Sequence, residues 1–344
     1  MNNKWLSPFV IVILTLAFVS CGPSPEAIAT MTASAWTPTP PPTPTPTPIP
    51  YGLSVNLADA DGNPINFAKI SVAELGEDLF EVDNSGSVSF QNLPGDSVSL
   101  SVSASGYLPQ DISETIERGE NTIDVILEVD PNGLLPKDAC AEGETLIMVE
   151  DMQDQKMQGW SNLSNRLESG APGVEIVEDD QQPGNWVFKT FNTTDTGPHD
   201  IGEYDQVLQD AVVRFRTRNN SGQHLHAVWH HTNTGRYIAF IYADQKGGRV
   251  DKFVDPENFT AFNYGGIIGD GEWHTIEIST FEDVYSLWID GQNRGSWQDK
   301  QPLPPGTFTL GADYWEPDRV TEFDDFSICG LSAPFTSLYT EAEE

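Results

Sequence analysis

Residues 270–276 read DGEWHTI, and residues 287–291 read LWIDG. Apolar and polar residues alternate along 274–279 and again along 284–290. Successive side chains of a β-strand point to opposite faces, so this alternation predicts strands with one buried face. The two segments therefore indicate a β-sheet in this part of the chain.

The same alternation extends over most of residues 140–330. Further alternating segments lie at residues 210–217, 224–231, 236–243, 308–311 and 323–329. No window keeps an apolar period of about 3.6 residues over the length of a helix. A strand-rich region of this length predicts a large jelly-roll sandwich, for which we set the bounds 138–331.

Residues within these segments carry a family resemblance. Asp270-Gly271-x-Trp273-His274, followed by Asp290-Gly291, resembles the DG-x-WH…DG signature of concanavalin A-like and laminin-G-like sandwiches. The resemblance implies two antiparallel strands with a tight turn at Asp290-Gly291. It also implies that Trp273 packs in the core and that His274 supports a strand edge.

Residues 51–130 form a smaller strand-rich region. Alternating segments lie at residues 53–57, 87–90, 97–104 and 122–127, and Gly, Pro, Asn and Asp cluster between them. These residue types favour turns, because Gly supplies positive φ, Pro presets φ, and Asn and Asp cap locally. Short strands at regular spacing predict a small β-sandwich.

The order of these turns and strands resembles the carboxypeptidase regulatory-like domain, a prealbumin-type sandwich. The matching landmarks are Asp61-Gly62-x-Pro64-Ile65, Ala68-x-Ile70, Asp83-x-x-Gly86-x-Val88-x-Phe90, Leu93-Pro94-Gly95, Gly106-Tyr107 and Gly119-x-Asn121. The resemblance implies a non-catalytic spacer or adhesive module. The predicted fold class is therefore all-β, with a small prealbumin-like sandwich followed by a larger concanavalin A-like jelly roll. An acidic, disordered tail is expected at residues 332–344.

The first residues of the chain indicate export. Lys4 precedes an apolar run at residues 8–19, which is followed by Ser20-Cys21. A weakly basic start, a short apolar segment and small residues before a cut site are typical of a signal peptide, here residues 1–21. The run is shorter than the ~20 apolar residues that span a bilayer.

A cysteine at the cut point resembles the lipobox of bacterial lipoproteins. The resemblance implies a diacylated thioether on Cys21, and hence a protein held by lipid to the membrane at the extracytoplasmic cell surface. The alternatives are an ordinary secretory signal and an uncleaved anchor.

Residues 37–50 read TPTPPPTPTPTPIP. Proline favours an extended backbone, so residues 22–50 predict a stalk, with a plain interdomain linker as the alternative.

Two further cysteines, Cys140 and Cys329, lie near the ends of the larger region. An exported chain meets oxidising conditions, so the pair is a candidate disulfide, with two buried free thiols as the alternative. Residues 148–160 resemble the opening strand and loop of the concanavalin A-like family, and residues 323–328 resemble its closing strand. Because these strands lie side by side in the family, the resemblance implies that the two cysteines are close.

The strong negative charge of the chain argues against a nucleic-acid partner. The chain has 344 residues, with 17 Lys and Arg against 52 Asp and Glu, and its formal net charge is −35. Such a surface repels phosphate backbones, so nucleic acid is not expected as a partner. High negative charge also favours cation binding.

Four acids are candidate ligands of a structural calcium ion. Glu150 and Asp151 fall on the predicted opening strand, and Asp324 and Asp325 fall on the closing strand. Calcium binds six to eight carboxylate and carbonyl oxygens at ~2.3–2.6 Å. Related carbohydrate-binding jelly rolls often hold calcium in this region. The alternative is that these acids are solvated residues that guard exposed strand edges.

A candidate ligand-binding face combines planar donors and aromatic rings. Its predicted residues are Arg214, Arg216, His226, His230, Tyr242 and Trp315. Alternation alone places the arginines and histidines on outward faces of neighbouring strands. Flat rings beside planar donors are typical of sugar sites, so the partner is expected to be a polysaccharide or a cell-surface glycan. Arginine pairs bidentately with carboxylates, which favours uronate-type sugars. The alternatives are core rings and a plain polar surface.

The sequence holds no complete catalytic motif. Laminarinase-type glycoside hydrolases of this fold place acids as E-x-D-x-x-E on one strand. Glu322-x-Asp324 begins that pattern, but Ser327 stands in place of the last acid. Glycoside hydrolysis uses a pair of carboxylates. The favoured function is therefore non-catalytic glycan binding or adhesion, and the alternatives are a glycoside-active enzyme and a purely structural surface module.

Overall fold

The computed structural model describes most of the chain beyond the stalk. The described residues are 49–76, 79–157, 159–161, 173–191, 199–219, 224–242, 247–254, 257–265, 269–313 and 320–339. Cys21 and Trp315 lie outside them. Within these ranges the helical structure consists of two short 3-10 turns, Ala73–Leu75 and Pro136–Asp138. None of the described helices has the length and apolar character needed to cross a bilayer. The all-β prediction is confirmed.

The first sandwich has seven described strands. They are β1 (Tyr51–Ala58), β2 (Lys69–Val72), β3 (Leu79–Glu81), β4 (Ser87–Leu93), β5 (Ser97–Ser103), β6 (Gln110–Thr115) and β7 (Gly119–Ile126). One sheet has the order β4-β1-β7 and the other has the order β3-β2-β5-β6. The buried core includes the alternate apolar residues Leu53, Val55, Leu57, Val98, Leu100 and Val102. The likeness to the carboxypeptidase regulatory-like domain stays a prediction.

The second sandwich has fifteen described strands. They are β8 (Thr145–Glu150), β9 (Trp160–Ser161), β10 (Val174–Glu178), β11 (Trp186–Phe191), β12 (His199–Leu208), β13 (Ala211–Asn219), β14 (His224–Thr232), β15 (Gly235–Tyr242), β16 (Gly247–Val254), β17 (Glu257–Gly265), β18 (Trp273–Phe281), β19 (Val284–Ile289), β20 (Gln292–Gln298), β21 (Gly306–Asp313) and β22 (Val320–Gly330). An eight-stranded sheet has the order β10-β11-β22-β13-β18-β19-β20, with β8 also paired to β22. A seven-stranded sheet has the order β17-β16-β15-β14-β21-β12-β9.

Aromatic side chains fill the space between these two sheets. The Phe215 and Phe326 rings stack with centroids 5.3 Å apart, and Trp160 meets Phe326 edge-on at 5.3 Å. All three side chains are buried in one apolar cluster. Such rings bury large areas and gain further from offset or edge-to-face contact. These rings form the centre of the core between the two sheets.

The segment at residues 270–291 forms strands as predicted, with one difference. Strands β18 and β19 pair antiparallel, and Asp290 and Gly291 both have positive φ in the turn between β19 and β20. His274 lies 2.7 Å from a carboxylate oxygen of Asp290 and 2.9 Å from one of Asp270, so it ties the turn to the strand end. Trp273, however, does not join the core. It is half-buried on the outer face of the eight-stranded sheet.

Cys140 and Cys329 form the predicted disulfide, with their Cα atoms 5.9 Å apart. Cys329 lies in β22, which pairs with β8, and Cys140 precedes β8 by a few residues. The two cysteines are 189 residues apart in sequence, so the bridge closes a loop around nearly the whole second sandwich.

The described part of the tail, residues 332–339, packs against the second sandwich, whereas the sequence predicts disorder for residues 332–344. The Phe335 ring packs edge-on against Trp288 with centroids 5.7 Å apart, and the buried Ser337 hydroxyl donates to Glu277. Residues 332–339 thus cover part of the eight-stranded sheet, because they carry an aromatic ring that gains by burial. Residues 340–344 lie outside the described ranges.

Polar contacts tie the two sandwiches together. The backbone N–H of Gly106 donates to Asp151 Oδ2 at 2.5 Å, and Lys69 Nζ lies 3.3 Å from Glu150 Oε2. Gly106 and Lys69 belong to the first sandwich, and both acids lie at the end of β8. The end of β8 therefore rests against the first sandwich.

Candidate functional site

The predicted ligand-binding face does not exist as one surface. Strand β13, which carries Arg214 and Arg216, lies in the eight-stranded sheet, whereas β14, which carries His226, lies in the seven-stranded sheet. Alternation does not show which strands pair, and the chain crosses from one sheet to the other between β13 and β14. The arginines and histidines therefore lie on different faces of the sandwich, and this part of the prediction is wrong.

Arg214 is engaged inside the protein. Its side chain is 2% exposed and forms a bidentate pair with Glu144, both contacts being 2.7 Å. Its Nε donates to Glu277 at 2.9 Å. The Phe335 ring lies 5.4 Å from the guanidinium carbon. The charge is thus neutralised by two acids, and the side chain does not face solvent.

Two further arginines repeat this arrangement along β13. Arg216 lies 3.0 Å from Asp325, and Arg218 donates to Glu322 at 2.6 Å. The ring of Trp273 lies 4.8 Å from both guanidinium carbons. Arg214, Arg216 and Arg218, which we call the arginine ladder, therefore hold the outer face of the eight-stranded sheet together. Because Arg214 and Arg216 already pair with acids of this chain, they no longer favour acidic sugars as ligands.

The four acids predicted to hold calcium are gathered at one place and mostly buried. Glu150 pairs with Phe326 in the β8–β22 register, which brings the end of β8 beside the acids of β22. Burial raises the pKa of all four carboxyls, and nearby acids add to the effect on Asp151 and Asp324. The pKa of Asp151 reaches about 7. These acids are not solvated edge residues.

Their oxygens nevertheless do not converge as calcium ligands should. Asp151 accepts backbone N–H groups of Gly106 and Gln153, and Asp324 accepts the Asn185 amide at 3.0 Å. In the described ranges, no three of these carboxylates have oxygen atoms that all lie within 4.8 Å of one another. The arrangement does not fit an ion that takes six to eight oxygens at ~2.3–2.6 Å. A structural calcium stays a prediction that this geometry does not favour.

A half-buried aromatic surface lies on the outer face of the seven-stranded sheet. Tyr237, Ala239 and Ile241 of β15 are buried in the core, so the intervening residues of β15 point outward. The rings of Phe240 and Tyr242 lie 6.1 Å apart, and Phe240 lies 6.5 Å from Phe253 of β16. We call Tyr242, Phe240 and Phe253 the aromatic strip.

Imidazoles and guanidinium groups flank the aromatic strip. The imidazole of His224 lies 4.6 Å from the Tyr242 ring, and that of His226 lies 4.6 Å from the Phe240 ring. Arg249, whose side chain is 42% exposed, lies 4.8 Å above Phe240 and 2.9 Å from Asp251. On the next ring, Arg236 lies 5.3 Å above Phe253. This surface offers ring faces beside hydrogen-bonding groups.

Two of the predicted ligand-binding residues, His226 and Tyr242, therefore share one face. Three further residues of this face, Phe240, Phe253 and Arg249, were not predicted from the sequence. Phe240 could have been found, since the alternation at 236–243 places it on the same side as Tyr242. Phe253 and Arg249 required the β15–β16 pairing, in which Phe240 is opposite Arg249.

His230 does not reach this face, and its predicted binding role is wrong. The register of β14 shifts between Trp229 and Thr232, and His230 has a φ of 47°. The side chain is 4% exposed and meets Tyr237 and Tyr285 edge-on. Burial lowers the pKa of this histidine. A β-bulge thus turns a residue that alternation places outward into the core.

The incomplete hydrolase pattern lies on β22 in the eight-stranded sheet. Glu322 accepts a hydrogen bond from Arg218, and Asp324 accepts one from Asn185. Ser327 donates to the carbonyl of Ala139. Each of these groups is occupied within the sandwich. A non-catalytic role stays a prediction.

Comparison with protein-family models and with curated proteins gave no match. Solved structures with partial likeness include a carbohydrate-binding module from Bacillus subtilis, which is 12% identical, with a TM-score of 0.37, and covers 50% of this chain and 96% of that one. A Bacillus licheniformis β-glucanase is 9% identical, with a TM-score of 0.39, and covers 56% of this chain and 100% of that one. A lichenase from a mouse hindgut metagenome is 11% identical, with a TM-score of 0.39, and the match covers 54% of this chain and 99% of that one. The function is therefore inferred from this chain's own residues.

Proposed function

We propose that this protein is a non-catalytic glycan-binding or adhesion lipoprotein of a bacterial surface. The observation that carries the proposal is the aromatic strip of Tyr242, Phe240 and Phe253 on the outer face of a sheet. Ring faces can stack on the apolar faces of sugars, while imidazole and guanidinium groups beside them bind hydroxyls. A flat sheet face suits an extended polymer better than a small buried ligand.

The aromatic strip gives the direct test of glycan binding. We expect Phe240→Ala to weaken binding of a glycan found on an array by at least tenfold, which corresponds to ~1.4 kcal/mol. The reason is that Phe240 is the middle ring and contacts both His226 and Arg249. Isothermal titration of the purified protein measures the change.

Phe259→Ala is the matched control, because Phe259 is 47% exposed on the same sheet but lies beside Trp297, away from the strip. Equal affinity of wild type and Phe240→Ala would refute the strip as the binding surface. Absence of any glycan ligand would favour the structural module, and sugar turnover by the wild type would favour the enzyme.

The lipid anchor rests on the sequence alone, because Cys21 lies outside the described residues. We expect the wild type to partition with membranes and Cys21→Ser to be released, since the serine cannot form the thioether. Membrane fractionation with detection of the protein measures this. Retention of the serine variant would favour an uncleaved anchor. A wild type found only in the medium would favour an ordinary secretory signal.

A further inference from the structure

A cleft opens at the Phe253 end of the aromatic strip. It has a volume of about 450 Å³ and is lined by Thr232, Asn233, Thr234, Gly235, Arg236, Phe253, Glu257 and Asn258. Its walls are the β14–β15 hairpin on one side and strands β16 and β17 on the other. Ligand pockets commonly measure ~300–1,000 Å³, so the cleft is large enough for a bound group.

The hairpin wall of the cleft is held in one conformation. The Thr232 hydroxyl accepts the backbone N–H groups of Thr234 and Gly235, each at 3.2 Å. A Cβ atom at Gly235 would lie 2.4 Å from the carbonyl oxygen of Phe253, so only glycine permits this close approach. A wall fixed in this way loses little entropy when a ligand binds.

The lining combines donors and acceptors with an aromatic ring. Asn233 and Asn258 each offer an amide donor and an acceptor, Glu257 offers a carboxylate, and Arg236 offers a guanidinium above Phe253. A sugar hydroxyl both donates and accepts, so this set can pair with adjacent hydroxyls of one ring. The cleft is thus suited to a polyhydroxylated group.

Charges in and beside the cleft are balanced. The lining holds one cation, Arg236, and one anion, Glu257. The next cation along the strip, Arg249, lies 2.9 Å from buried Asp251. The chain as a whole carries a formal charge of −35. An acidic sugar would therefore gain little here, and a neutral one is not penalised.

We propose that the cleft binds one residue of a neutral glycan, and that the following residues of the glycan lie along the aromatic strip. The inference rests on the proposed function and adds to it a defined subsite and a class of ligand. The two surfaces are continuous, because Arg236 and Phe253 belong to the cleft while Phe253 also lies 6.5 Å from Phe240 of the strip.

The test is isothermal titration with neutral hexasaccharides of glucose, mannose, galactose and xylose, and with hexamers of galacturonate. We expect a neutral hexamer to bind and the galacturonate hexamers to bind at least tenfold more weakly. The Glu257→Gln, Asn258→Ala double variant should bind the same neutral hexamer at least tenfold more weakly than wild type. Affinity for a neutral ligand should also change little between low and high salt, since screening acts only on charges.

The variants separate the two proposals. If the cleft variant binds as wild type does while Phe240→Ala loses binding, the cleft inference is overturned and the strip stands. Tighter binding of galacturonate hexamers overturns the neutral class but not glycan binding. If the wild type binds none of these hexamers and no glycan on an array, both proposals fail. Melting curves of the cleft variant and the wild type test whether a loss of binding reflects a loss of folding.

Discussion

Replacing Arg214 by alanine is expected to destabilise the second sandwich by about 3–5 kcal/mol. The substitution leaves the carboxylates of Glu144 and Glu277 without their shared cation, and both are almost entirely buried, with side chains 8% and 0% exposed. A buried charge that loses its partner costs far more than an exposed one. Because domains are stable by only ~5–15 kcal/mol, the change is a large share of the total.

Urea unfolding followed by tryptophan fluorescence measures this loss, because most of the tryptophans lie in the second sandwich. Lys189→Ala is the matched control. Lys189 pairs with Glu175 at 3.0 Å on the same sheet, but the two side chains are 28% and 40% exposed. Exposed pairs contribute ~0–1 kcal/mol, so this variant should unfold nearly as wild type does. Equal stability of the two variants would show that the arginine ladder does not hold the sheet.

Removal of the disulfide is the second large effect that we expect. Replacing Cys140 and Cys329 together by alanine should cost about 2–5 kcal/mol, as loss of a native disulfide typically does. The bridge spans 189 residues. Without it the unfolded chain gains conformational entropy, and this gain is largest for long loops. The loss should be confined to the second sandwich, since residues 51–130 contain no cysteine.

Calorimetry with and without reductant measures the shift in the melting temperature. The double variant is its own control, because reductant should not lower its melting temperature further. Mass analysis of the exported, unreduced protein should find a peptide in which Cys140 is joined to Cys329. Two alkylatable thiols in that sample would contradict the bridge.

Much of the fold follows from alternation along the strands. The segments at 274–279 and 284–290 form β18 and β19, and the buried residues of β1 and β5 are those that alternation selects. Alternation fails where a strand has an extra residue. Phe323 and Phe326 are both fully buried although they are an odd number apart, because Asp325 between them has a φ of 51°. Such a bulge cannot be predicted from the sequence pattern of a single strand.

The candidate binding surface was harder to predict than the fold. The sequence indicates that Arg214 points away from the apolar core, and it does, but residues 139–144 and 332–339 cover that face. An outward position on a strand is therefore not the same as exposure. Likewise, Phe253 and Arg249 join the surface only through the pairing of β15 with β16, which depends on contacts distant in sequence.

The hydrogen bond from Gly106 to Asp151 bears on how this chain can be divided. The sequence predicts two domains, at residues 51–130 and 138–331. Asp151 is 3% exposed and accepts the Gly106 N–H of the first sandwich, and Lys69 of the same sandwich pairs with buried Glu150. Separated from its neighbour, the second sandwich would lose both of these contacts to its buried acids. Residues 138–331 therefore do not carry all the partners of their own buried acids.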